Sequence, residues 1–130
     1  MKLKYLLHTA LTVPLLPLMY LHGKRIMSTI PKLPEAQQPS GTILGTGAAR
    51  KVLIIGESTM AGVGVATHED GFAHAMAQEL ARQLDTTIHW KVYARSGYTL
   101  RRLHKKVLPR IEEESADLIV LGMGGNEAFK

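Results

Sequence analysis

A chain of 130 residues with 45% hydrophobic content, 5% aromatics and no cysteine has room for one modest domain with an aliphatic core. The absence of cysteine excludes a disulfide scaffold and a thiolate nucleophile. The net charge of +5 points away from nucleic acid once it is located. Residues 1–51 hold seven Lys/Arg against the single acid Glu35, and residues 52–130 hold nine against ten acids, so the surplus suits an anionic membrane surface.

In chain order, Lys2 and Lys4 precede the apolar stretch YLLHTALTVPLLPLMYL, Tyr5 to Leu21, and His22, Gly23, Lys24 and Arg25 follow it. As one helix it would span roughly 25 Å, a little short of a ~30 Å hydrocarbon core, with Pro14 and Pro17 kinking it. Residues 1–25 read as an N-terminal apolar helix acting as a membrane anchor or signal-like segment. No small-x-small cleavage site follows Leu21, which favours an uncleaved anchor over a cleaved signal or an interfacial segment. The positive charges are balanced across the segment and do not orient it. The implied location is a membrane, as a single-pass protein of bacterial inner-membrane type. Residues 26–49 carry three prolines and three glycines and read as a linker.

From residue 50 the pattern alternates. KVLIIG, Lys51 to Gly56, is a continuous apolar run that predicts a strand covered on both faces. Phe72, Met76, Leu80 and Leu84 predict a helical stripe. TIHWKVY, Thr87 to Tyr93, predicts a second strand, with Trp90 in the core. Leu100, Leu103, Val107, Leu108 and Ile111 predict a second helix, on whose polar side lie Arg101, Arg102, Lys105, Lys106 and Arg110. Those cations form a solvated face or a contact for an acidic substrate or membrane. DLIVLG, Asp117 to Gly122, predicts a third strand. The order β-α-β-α-β implies a parallel sheet, with chemistry at the carboxyl ends of its strands.

All three loops at that edge are unusual. Gly56-Glu57-Ser58-Thr59 places a serine just past a buried strand, where a turn or cap residue is the bland reading. Gly-x-Ser-x-Gly fails because Met60 takes its last position, and neither a P-loop nor a dinucleotide fingerprint is met. ARSGYT, Ala94 to Thr99, offers Gly97, where backbone could approach a ligand. GMGGNEA, Gly122 to Ala128, offers Asn126, which is otherwise a turn asparagine. Metal-ligand spacings and paired glycosidase carboxylates are not evident.

Together the three blocks resemble the SGNH (GDSL-type) serine hydrolases over about Lys51 to Phe129. The resemblance implies a flavodoxin-like three-layer α/β/α fold for residues 50–130, with only the first three strands of its parallel sheet present. It implies ester hydrolysis through an acyl-serine, with Ser58 as nucleophile and an oxyanion hole from the N–H groups of Ser58 and Gly97 and the amide of Asn126. It implies no cofactor and no metal, a small-molecule or lipid ester (a lipid or an acylated sugar) as substrate, and no nucleic-acid partner. Glu57 and Glu127 stand where the family usually has aspartates.

The family's base lies in a downstream Asp-x-x-His motif that has no counterpart here. His74 and His89 follow Asp70 and Asp85 by four positions rather than three, and His68 lies in the loop after Ser58. A serine without a base is a poor nucleophile, so the chain reads as the front part of a hydrolase, inactive as a fragment. DLIVLG then becomes an unpaired apolar edge. The rival expectations are a non-catalytic membrane-anchored fragment and a flavodoxin-like small-molecule binding module.

Overall fold

Two prolines interrupt the apolar N-terminal stretch, and the computed structural model, which describes residues 2–129, changes course there. Helix α1 (Lys2–Thr12) ends in a single 3-10 turn at Val13–Leu15, and α2 (Leu16–Thr29) follows. Pro14 lacks the N–H an α-helix needs, and its ring crowds the carbonyl four residues back. Pro17 sits in the first turn of α2, where no partner for an N–H is required. Among the described residues no helix is long and apolar enough to cross a membrane. The one proline-kinked apolar helix expected from the sequence is thus corrected to two short ones. Met1 and Lys130, the outer ends of the expected anchor and hydrolase segments, lie outside the described residues.

The chain divides into two units, one up to Lys32 and one from Leu33 on. The second unit is built on a four-stranded sheet. Its strands are β1 (Ser40–Ile43), β2 (Gly47–Gly56), β3 (Thr86–Ala94) and β4 (Leu118–Gly122), and their spatial order is β1-β3-β2-β4. β2 is central. It pairs in parallel with β3, Val52 opposite Trp90, and with β4, Val52 opposite Leu118 and Gly56 opposite Gly122. β1 runs antiparallel to β3, so the sheet is mixed rather than all parallel. The stretch expected as linker therefore holds the end of α2, the whole of β1 and the start of β2.

Alternate residues of β2 face opposite sides. Val52 and Ile54 join Ile88, Trp90 and Val92 against α3 (Phe72–Leu84), while Ile55 packs against Leu103 and Val107. The buried face of α3 is not the expected stripe. Ala73, Ala77 and Ala81 are buried, Phe72 and Leu84 are exposed, and Met76 and Leu80 pack only at the margin. Small side chains let this helix lie close to a sheet that supplies the bulk itself. Trp90 is 2% exposed and belongs to the core, as its flanking aliphatics predicted.

Helix α4 (Leu100–Lys106) is shorter than the apolar pattern predicted. A 3-10 turn at Leu108–Arg110 follows it, because Pro109 cannot continue the α-helical ladder. Only Leu103 and Val107 of its stripe are buried. At the outer edge of the sheet Leu118, Ile119 and Leu121 of β4 stay exposed.

Asp117 secures the start of β4. Its Oδ2 accepts from Lys51 N at 2.8 Å, its own N–H donates to Lys51 O at 2.9 Å, and Oδ1 lies 3.3 Å from Arg50 Nη1. The Lys51 N–H holds this carboxyl below the usual aspartate range, with desolvation opposing and Arg50 assisting. A depressed folded-state value means the stabilisation is present above the unfolded pKa and is lost as pH falls through the folded one. Urea midpoints are expected to fall less steeply below pH 4 in Asp117→Asn than in the parent chain. Equal slopes would remove Asp117 from the acid response.

Candidate active site

The carboxyl ends of β2, β3 and β4 meet at one edge, where two carboxylates tie their loops together and a third, Glu35, anchors the loop after β3. Glu57, just past β2, is 8% exposed. Its Oε1 accepts from Gly125 N at 2.8 Å, and Oε2 accepts from Asn126 N at 3.2 Å and also from Asn126 Nδ2. Its own N–H donates to Gly122 O at 3.1 Å. Glu127 accepts from Leu100 N, the first residue of α4. Glu35 accepts from Ser96 N at 2.7 Å and pairs with Arg95 Nη1 at 2.6 Å.

Each sequence-predicted residue lies on this edge. Ser58 is half-buried in the turn that opens after Gly56, where Ala61 N donates to Glu57 O at 2.8 Å and Val63 N to Ser58 O at 3.2 Å. The chain coils straight after the strand, which leaves Ser58 at the end of the central strand. Gly97 has φ +73°, a left-handed conformation that disfavours any side chain, although a Cβ there would meet nothing within 4 Å. The loop it occupies follows β3, whose next residue, Arg95, donates to Gly56 O at 3.1 Å. Asn126 is half-buried, and its Nδ2 donates both to Glu57 and, at 3.0 Å, to Tyr98 O. One asparagine amide therefore bridges all three loops.

That amide has both N–H groups engaged, so donating to a ligand requires exchanging one of those bonds. Among the described residues no histidine hydrogen-bonds to Ser58. His68 is buried edge-on to Trp90, with ring centroids 6.3 Å apart, and burial pushes its pKa down while Glu35 opposes. His89 Nδ1 lies 2.8 Å from Thr42 Oγ1, and His104 is exposed. Among the described residues no three His, Cys, Asp or Glu side chains gather as metal ligands.

Sequence reasoning passed over the three carboxylates. Glu57 and Glu127 stood out only as replacements for aspartate, and Glu35 only as the lone acid of a basic arm. The available signal was position: an acid directly after a fully apolar strand is buried unless the chain turns out at once, and a buried carboxylate needs donors. No family model matches the chain, and neither a curated protein nor a solved structure matches it.

Proposed function

We propose that the protein is a serine ester hydrolase of SGNH type, with Ser58 as nucleophile. The observation that carries this reading is the mutual hydrogen bonding of the three strand-end loops through Glu57 and Asn126. It sets Ser58, Gly97 and Asn126 on one edge. Ser58 Oγ would add to the ester carbonyl carbon, expel the alcohol and form an acyl-serine that water then hydrolyses. N–H groups of Ser58 and Gly97 and a released Asn126 amide would meet the developing oxyanion, an interaction worth about 10²–10³ in rate per donor. The hydroxyl proton needs an acceptor, and without a histidine bonded to Ser58 acylation is expected to be slow. The reading takes β3, β2 and β4 as the first strands of a flavodoxin-like sheet. The substrate class is a carboxylic ester of a lipid or an acylated sugar.

The N-terminal unit supports a location at a membrane surface. Leu11, Val13, Leu15, Leu16, Leu18 and Leu21 are all exposed there, with Lys24 and Arg25 just beyond. Two short helices with apolar surface and adjacent cations suit attachment to an anionic membrane.

A serine-directed fluorophosphonate tests the chemistry. The adduct is expected on Ser58 when the labelled chain is digested and its peptides are weighed. Absence of label on a chain whose circular dichroism shows it folded would sink the nucleophile assignment. The engaged amide of Asn126 and the lack of a histidine bonded to Ser58 among the described residues favour a second reading, a small-molecule binding module at the same strand ends. Phosphate or nucleotide binding without labelling would support it.

A further inference from the structure

A separate cavity of about 240 Å³ runs along the carboxyl end of β3, room for roughly eight water volumes. Neither Ser58 nor Asn126 lines it. Glu35 and Arg95 on its wall neutralise each other at 2.6 Å. Lys106 and Arg110, at the end of α4 and in the 3-10 turn after it, also line it and carry no ion pair among the described residues. The cavity therefore faces two uncompensated positive charges.

Its lining is mixed, with polar and apolar surface in nearly equal shares. Ala61, Val92 and Val107 supply aliphatic surface, and His68 stands among them, only 3% exposed. The His68 ring makes no hydrogen bond among the described residues, and it lines the cavity. Burial favours its neutral form, which offers one donor and one acceptor. An imidazole on the wall, an aliphatic patch and two cations together describe a ligand with a charged head and a short body.

We propose that this cavity binds a small organic carboxylate, with its charged end held by Lys106 and Arg110 and its body against Val92 and His68. The site goes beyond the ester-hydrolase reading and stands whether or not Ser58 is acylated. Arginine and lysine both bind carboxylates by charge-assisted hydrogen bonds. The aliphatic patch of Ala61, Val92 and Val107 adds a preference for carbon over a bare inorganic ion.

The test is an NMR titration of the full chain with sodium butyrate, ionic strength held constant with sodium chloride. Saturable shifts are expected at the His68 ring and at the backbone of residues 95–98 and 106–110. The double variant Lys106→Gln/Arg110→Gln, altered only at exposed positions, should weaken binding at least tenfold with the remaining spectrum unchanged. Ser58→Ala should bind butyrate as the parent does. The proposal is overturned if no saturable shift occurs, if the double variant binds equally well, or if inorganic phosphate binds as tightly as butyrate. Loss of binding in Ser58→Ala would merge the cavity with the serine site and equally overturn it.

Discussion

Glu57→Ala is expected to lower the free energy of unfolding by about 3 kcal/mol, more than a hundredfold in the folding equilibrium. The carboxylate is buried and accepts from Gly125 N, Asn126 N and Asn126 Nδ2. Hydrogen bonds to a charged group contribute about 1.5–3 kcal/mol each, and donors left buried without a partner add their desolvation cost. The three bonds share one side chain and do not sum, which keeps the expected loss near the value of the strongest. Glu57→Gln should recover little, because its amide nitrogen would face the donors of the loop. Urea unfolding measures the loss, and hydrogen exchange at Gly125 and Asn126 locates it. A loss below about 1 kcal/mol would mean that solvent replaces the carboxylate without cost. The same variant should also reduce fluorophosphonate labelling of Ser58, since the Asn126 amide loses an anchor.

Gly56→Ala should cost about 3 kcal/mol or more, at the upper end of overpacking substitutions, whereas Gly122→Ala should cost less than half as much. The two glycines face each other across β2 and β4, yet their surroundings differ. A Cβ on residue 56 would overlap the carbonyl oxygen of Gly122 and approach Met60 Cγ to 2.5 Å. The oxygen belongs to the backbone ladder and can yield only if the strands part. The three atoms nearest a Cβ on residue 122 all belong to the Met60 side chain, with Cγ and Cε at 2.6 Å, and an unbranched thioether can swing aside. Thermal unfolding of the two variants side by side decides the matter. Equal losses would show that the strands shift as readily as the methionine does.

The sequence was legible where apolar runs are long. KVLIIG, TIHWKVY and DLIVLG became β2, β3 and β4 within a few residues, because short apolar runs rich in β-branched residues favour a strand over a helix at that length. β1 stayed hidden in a stretch of prolines and glycines. Four residues are too few to show a period, and their pairing depends on β3, which is remote in the chain. The stripe Phe72-Met76-Leu80-Leu84 misled for a different reason. Hydrophobicity ranks phenylalanine and leucine above alanine, but close packing on a sheet already filled by Trp90, Ile88 and Ile54 selected the alanine face. Pro109 was visible, and it set the end of α4 more firmly than the apolar spacing did. At the candidate site Ser58, Gly97 and Asn126 were legible as strand-end residues, since topology alone carries such residues to one edge. The carboxylate ties of Glu57, Glu127 and Glu35 were not, because each joins segments whose approach only the folded chain defines.

The central place of β2 has a consequence during synthesis. Its second parallel neighbour, β4, follows it by 66 residues between the paired Gly56 and Gly122. At 5–20 residues per second a ribosome takes roughly 3–13 s to make that stretch. Until then Leu53 and Ile55, buried in the finished sheet, have no β4 beside them, and the nascent chain carries an open apolar strand edge that a chaperone or a neighbouring nascent chain can occupy first.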